Sequence, residues 1–257
     1  MGFCCKSFAA TLCLLLLAGC PRHIPAVALP KQEVEIALKL LAKENARRHQ
    51  VQGTLQARFS GLKQFLGSVE IDIIAQAPSR IYVAQRSFFS QPSKLFASDG
   101  ETSTLLDLAD VNKPLYLRSS ARSGSIEGML PIAVSPSDMT GLLLGQAPIV
   151  DAQITDALTD GSQFQLSLLQ PDGRKAVIWI RPSDGLMVAS AMFDTRGDMI
   201  YHVDYEDMRD EKGVMFAHRW IVRARHGVDE IKLILQAKEI EINGPLFPKE
   251  AFSLPAP

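Results

Sequence analysis

Apolar and polar residues alternate with a period of two along most of this chain. In VQGTLQARF, Val51, Leu55, Ala57 and Phe59 are interleaved with Gln52, Thr54, Gln56 and Arg58. In SVEIDIIA, Val69, Ile71 and Ile73 alternate with Glu70 and Asp72. Each run predicts a strand with one apolar face and one wet face. The segments 80–85, 94–98 and 102–109 continue the series, with Asp99-Gly100 as a hairpin turn. In the second half, Phe164, Leu166 and Leu168 alternate with Gln163, Gln165 and Ser167. Strands are predicted over 176–181, 186–193, 199–205, 214–224 and 230–242, separated by Pro171-Asp172-Gly173, Ser183-Asp184-Gly185 and Arg196-Gly197. Turn signals spaced by roughly 12 residues between short strands indicate an antiparallel meander.

Two segments break the period. Residues 31–49 place Val34, Ala37, Leu38 and Leu41 at helical spacing, with Glu35, Lys39 and Lys43 on another face and Pro30 just before. A polar face of mixed sign suits packing on a sheet better than lying on a membrane. Midway, SPSDMTGLLLGQAP (135–148) offers Ser135 as a cap, Pro136 at the first helical position and Asp138 three residues after the cap. Met139, Leu142 and Leu143 then form a short apolar face, and Gly145 can end the helix. The fold class is therefore mostly β with helices (α+β), an antiparallel sheet of about eleven strands with an N-terminal helix and an inserted lid helix. A sheet of that width curls rather than staying flat. With helices on its concave side it becomes a half-barrel enclosing an apolar cavity.

Composition narrows the function. Lys and Arg number 27 against 28 Asp and Glu, a formal net charge of −1. That near-neutral balance lacks the basic excess of a nucleic-acid-binding surface, so no nucleic-acid partner is expected. No catalytic constellation is visible: GSIEG (124–128) lacks the central Ser of a nucleophile elbow, and neither a P-loop nor a dinucleotide fingerprint occurs. The five histidines, His23, His49, His202, His218 and His226, have no metal-ligand spacing, and the acidic run 204–211 lacks EF-hand spacing. A non-enzymatic protein without metal or cofactor is expected.

The N-terminus explains the cysteines, which are Cys4, Cys5, Cys13 and Cys20 and no others. Lys6, the apolar run 8–17 and small Ala18-Gly19 make a secretory signal peptide. The run is shorter than the roughly 20 apolar residues of a membrane-spanning helix. Leu17-Ala18-Gly19-Cys20 resembles the lipobox of bacterial lipoproteins. That resemblance implies a signal peptide over 1–19, cleavage before Cys20 and lipidation (palmitate among the acyl groups) on it. Residues 20–30, with Pro21, Pro25 and Pro30, read as a lipidated tether and 31–257 as one half-barrel domain. Pro21, rather than Asp, after the lipidated Cys favours the outer membrane under the Gram-negative sorting rule.

The pattern resembles the LolA/LolB-like lipoprotein-localisation family, closest to its outer-membrane receptor. Met139–Pro148 is similar to the receptor's short helix and its Leu-Leu-Gly-x-Pro-like ending. Phe252-Ser253-Leu254-Pro255 resembles the close of carrier-like periplasmic proteins. Phe88-Phe89, between two predicted strands, falls where the family has a protruding apolar loop that engages the membrane. The alternative is that both fold back on the rim as core. Only Trp179 and Trp220 are present, fewer tryptophans than usual for the receptor, and the second half is longer. The resemblance implies an outer-membrane-anchored, periplasm-facing lipoprotein that takes acyl chains or lipidated proteins into its cavity. Leu55, Phe59, Val69, Ile71, Ile73, Phe164, Leu166, Met199 and Tyr201 are the candidate lining. The rival reading is an envelope sensor or assembly lipoprotein that binds a protein partner, and a hydrolase would need a polar cluster in the cavity. A Phe88→Glu, Phe89→Glu double variant is expected to lose acyl transfer to phospholipid vesicles while keeping its circular dichroism spectrum. Transfer at the wild-type rate would remove the loop from the mechanism.

Overall fold

The computed structural model describes residues 26–61, 67–86, 91–110, 112–121, 126–130, 132–226 and 229–255. The signal peptide, Cys20, Phe88 and Phe89 lie outside the described residues. The strands are β1 (Val27–Ala28), β2 (Gln50–Ser60), β3 (Gly67–Gln76), β4 (Arg80–Arg86), β5 (Pro92–Ser98), β6 (Thr102–Asp107), β7 (Leu115–Ser120), β8 (Gln153–Thr159), β9 (Phe164–Leu169), β10 (Lys175–Ile180), β11 (Met187–Phe193), β12 (Met199–Glu211), β13 (Val214–His226) and β14 (Asp229–Ile242). The helices are α1 (Lys31–Ala46) and α2 (Pro136–Leu144). All strands join one antiparallel sheet in the order β1-β8-β9-β10-β11-β12-β13-β14-β2-β3-β4-β5-β6-β7. Its two end strands do not pair with each other, so the sheet curls into an open half-barrel.

Among the described residues fourteen strands are present rather than about eleven. The additional ones are β1, β7 and β8, and each carries a weak alternation signal. β1 has two residues. The β8 period is broken by a bulge between Ile154 and Asp156. β7 is short, and its apolar residues Leu115, Tyr116 and Leu117 are consecutive rather than alternating. The first helix ends at Ala46 rather than at residue 49, and the chain enters β2 at Gln50. The segment read as a tether ends on the sheet: Val27 and Ala28 pair with Thr159 and Leu158, and the Leu29 amide donates to the Ala157 carbonyl at 2.9 Å.

The strand order dictates what fills the concave face. β1 sits at one end and β2 in the middle, so α1 must traverse the β8–β14 arm to connect them. β7 sits at the other end from β8, so residues 121–152, which include α2, must cross the same face in the opposite sense. These two crossings supply the cover that an apolar sheet face needs. Leu41 of α1, Ile126, Leu130 and Ile132 of the second crossing, and Met139 and Leu143 of α2 are all fully buried there. They pack with Leu55, Ile71, Ile73, Leu166, Val203, Val222 and Leu233 from the strands in one contiguous core. The opposite face of the central strands is polar, with Arg86 bonded to Asp72 at 2.7 Å. Beyond β14 the chain returns over the outside of β4, where Phe252 is buried and stacks edge-to-face on Phe247.

Helix α1 is seated on the 181–186 turn at Gly185, whose φ is +75° and whose absent Cβ leaves room for Leu40. Gly161 has a comparable φ of +85° with open space around it. Gly161→Ala is therefore expected to cost only the left-handed backbone penalty, about 1–2 kcal/mol. Gly185→Ala adds overlap with Leu40 and is expected to cost about 3–5 kcal/mol in denaturant unfolding. Equal costs at the two sites would show that α1 shifts freely on its seat.

Candidate functional site

The site is organised by the meeting of two helix C-termini. α2 starts at Ser135, whose Oγ accepts from the Asp138 amide at 3.1 Å and donates to Asp138 Oδ2 at 2.7 Å. It ends at Gly145 in the left-handed region, φ +62°, with the Gly145 amide donating to the Leu142 carbonyl and the Gln146 amide to the Gly141 carbonyl. The last carbonyls of α1 lie alongside. Asn45 Nδ2 donates to the Ala147 carbonyl at 2.9 Å, and the Ala147 amide returns a bond to Asn45 Oδ1 at 3.1 Å. Gln146 Nε2 donates to the carbonyls of Asn45 and Arg48. Two negative dipole ends are thus brought together, which requires positive charge. Arg48, only 3% exposed, supplies it: one terminal nitrogen donates to the Gly145 carbonyl at 2.8 Å and the other to Glu44 Oε2 at 3.2 Å. Burial draws the Arg48 guanidinium below its usual range, while Glu44 and Tyr205 oppose that shift.

The N-terminal end of α2 is clasped to the other arm. Arg174, on the β9–β10 turn, donates at 2.7 Å to Asp138 Oδ2 and at 2.7 Å to Asp172 Oδ2. Burial lowers the Arg174 affinity for its proton, but the two carboxylates outweigh it and the group stays charged. On the near side Thr140 Oγ1, which donates to the Pro136 carbonyl at 2.8 Å, also lies 3.3 Å from the Arg80 carbonyl at the start of β4. The helix therefore bridges the two arms of the sheet as a lid.

Among the described residues, spaces lie beneath and beside the lid, and three of them bear on the site. The first, about 280 Å³, is lined by Ala77, Leu142, Pro148, Val150, Tyr201 and Tyr205, with Ser190 and Asp138 among its polar members. The second is an outer cleft of about 580 Å³, lined by Ser79, Ser135, Ser137, Asp172 and Arg174. Ser137 borders both. The third is a void of about 10 Å³ between Arg48, Leu143, Met187, Met208, Met215, Phe216, Tyr205 and Trp220. Burial pushes the Tyr201 and Tyr205 hydroxyls well above the ordinary tyrosine range, so both stay protonated.

Of the candidates from the sequence, Leu142 and Tyr201 line the 280 Å³ cavity and Leu143 the small void. Leu55, Ile71, Ile73, Leu166 and Met139 are fully buried core on the concave side, and Phe59, Val69 and Phe164 pack partly buried against it. Met199 is half-buried at the start of β12. Arg48, Asn45, Gln146, Arg174, Tyr205 and Trp220 escaped the sequence reading. Tyr205 was within reach, because it continues the alternation of Tyr201 and Val203. Arg48 gave no signal, since it sits in a basic run at a helix end that reads as solvated. Among the described residues no group of three or more His, Cys, Asp or Glu side chains converges on a metal position.

No family model matches the chain, and no curated protein matches it in sequence. Solved structures match its architecture. A LolA superfamily protein from Nitrosomonas europaea superposes with a TM-score of 0.60 at 15% identity, over 85% of this chain and 97% of that one. An outer membrane lipoprotein-sorting protein domain from Vibrio parahaemolyticus gives 0.58 at 13% identity, over 84% and 96%. A DUF1329 family protein from Desulfovibrio piger gives 0.59 at 10% identity, over 87% and 96%. The chain has the architecture of open, curled antiparallel half-barrels with helices across the concave face. Within that class its fold is LolA-like.

Breaking the clasp tests whether it holds the lid. Arg174→Ala is expected to destabilise the fold by about 1–3 kcal/mol, the range for a hydrogen-bonded charge. Amide exchange over 136–144 should rise, with Asp138→Asn giving a similar effect and the double variant little more. Unchanged exchange in α2 would show that the lid is held by its C-terminal joint alone.

Proposed function

We propose that this protein is a non-enzymatic, lipid-anchored envelope lipoprotein that takes an acyl chain, free or carried by a lipidated protein, under the lid helix. The observation that carries the reading is the 280 Å³ space roofed by Leu142 and floored by Tyr201 and Tyr205. It lies just below the roughly 300–1,000 Å³ typical of small-molecule sites, a size suited to one chain rather than two. Capture rests on apolar burial, about 25 cal/mol per Å², and needs no charged partner for the chain itself. The polar cleft outside the lid offers a place for the attached head group. The shared fold of a LolA superfamily protein and of an outer membrane lipoprotein-sorting domain supports the same reading.

The finer role is a receptor in lipoprotein localisation, held in the outer membrane through lipid on Cys20 and facing the periplasm. Among the described residues no helix is long and apolar enough to cross a membrane. Phe88 and Phe89 would deliver the chain to the bilayer. A second reading, an envelope sensor or assembly protein that binds a protein partner, is favoured by β7. That strand ends the sheet and carries Leu115 and Leu117, each 51% exposed.

The test is native mass spectrometry on the full-length chain carrying Cys20→Ala, expressed with its own export signal. A co-purified phospholipid or acylated species, displaced by added fatty acid, is the expected result. A clean mass with no uptake of a fluorescent acyl probe would move the function to the protein-binding reading.

A further inference from the structure

The two ends of the sheet are finished differently. At the β8 end, Val27 and Ala28 of β1 lie alongside, the Leu29 amide donates to the Ala157 carbonyl, and a bulge between Ile154 and Asp156 breaks the rest of the edge. Short strands and bulges of this kind blunt an edge against further pairing. At the β7 end none of these devices is found among the described residues. β7 pairs with β6 without a break in register, from Ser120 opposite Thr102 to Leu115 opposite Asp107, and it contains no proline. Among the described residues no strand lies on the outer side of 115–119. A regular open edge is a template for one more strand.

The side chains of β7 define what that strand would meet. Leu117 lies opposite Leu105, which packs on the core and against Gly128 of the second crossing, so Leu115 and Leu117 face the concave side. Both are half exposed. On the outer face Tyr116 donates to the Leu254 carbonyl, and the exposed Arg118 lies opposite Thr104 rather than an acid. The edge offers apolar contact inward and a positive charge outward.

This edge is continuous with the ligand spaces. Ala121, the residue after β7, lines the 580 Å³ cleft, and Ser137 borders both that cleft and the 280 Å³ cavity. A molecule with its hydrocarbon chain in the cavity and its linkage in the cleft has an exit at the Ser120 end of β7. Direction then selects the molecule. A polypeptide acylated at its N-terminus would run from that end toward Leu115, antiparallel to β7, the sense in which β7 already pairs with β6. One acylated at its C-terminus would have to run parallel, the weaker pairing.

We infer that the β7 edge binds, by antiparallel strand addition, the extended segment that follows the acylated N-terminus of a polypeptide whose acyl chain lies in the cavity. The inference rests on the acyl-binding reading and adds a second contact to it: the lipid fills the cavity, and the polypeptide behind it extends the sheet. β7 has six residues, a span of about 20 Å at roughly 3.3 Å per residue. The partner therefore needs an extended linker of that length between its lipid and its folded part.

The experiment applies titration calorimetry and amide exchange to full-length Cys20→Ala protein. Four probes are compared: a dodecanoyl peptide of three Ser-Val repeats closed by two Glu, the same peptide without its acyl group, a dodecanoyl peptide with proline in place of every repeat residue, and dodecanoylglycine amide. The Ser-Val acyl peptide is expected to bind about tenfold tighter than dodecanoylglycine amide, the sum of a few cross-strand pairs, and to slow exchange over 115–119. The proline peptide, whose repeat has no N–H to give, is expected to bind no tighter than the amide. A Leu115→Lys, Leu117→Lys double variant, which puts inward charge on the edge at two exposed positions, is expected to abolish the tenfold gain and leave affinity for dodecanoylglycine amide unchanged. Equal affinity of the Ser-Val and proline acyl peptides, or slowed exchange elsewhere than β7, would overturn strand addition and leave acyl binding standing. Protection of 115–119 by the unacylated peptide at the same affinity would separate the edge from the cavity and overturn the inference. A concentration-dependent dimer by light scattering, with 115–119 protected before any probe is added, would give the edge to a second copy and overturn it as well. Failure of every dodecanoyl probe to bind would overturn the acyl-binding reading and this inference with it.

Discussion

Everything on the concave face depends on joining two helix ends of the same electrical sign. α1 and α2 arrive from opposite edges of the sheet because the strand order leaves them no other route. Their C-terminal carbonyls meet, and left alone they would repel each other and go unbonded. The Arg48 guanidinium and the amides of Asn45 and Gln146 turn that meeting into the fixed point of the lid. The same arginine leaves its own Nε–H without a hydrogen-bond partner. A buried donor left without a partner costs roughly 1–3 kcal/mol. The joint that closes the structure therefore also stores an unmet demand beside the cavity.

The two ends of α2 are held by different physics. Its C-terminal end is fixed by the buried Arg48–Gly145 bond and by part-buried amide bonds of Asn45 and Gln146. Its N-terminal end is fixed by an ion pair between Arg174 and Asp138, with side chains 28% and 12% exposed, at the edge of a hydrated cleft. An ion pair in that position is screened by salt more than the buried joint is. The lid is consequently hinged at one end and latched at the other.

The sequence revealed the sheet and both helices because each carries its own period. Alternation in β2, β3, β9 and β12 names the buried face directly, and Ser135, Pro136 and Gly145 mark the ends of α2 in advance. Long-range closure was not legible. Nothing in the local pattern says that β14 pairs with β2, or that β1 and β7 lie at opposite ends. The polar residues of the site depend on that closure. Arg48 and Gly145 are far apart along the chain and meet only once both crossings are in place. The cavity candidates illustrate the same limit: alternation identified the inward face, but which inward residues border open space depends on where the lid sits.

The small strand β1 has a mechanical consequence. Val27 and Ala28 fasten the start of the fold to the β8 edge. The chain between Cys20 and Val27 can extend at most about 25 Å. With Cys20 lipidated, as proposed, that edge is on a short leash: it can tilt and swivel over the bilayer but cannot diffuse away from it. The opposite edge, β7, is then the part of the sheet free to swing furthest into the periplasm. Lengthening the leash would enlarge the volume searched by the half-barrel without altering a single contact within it.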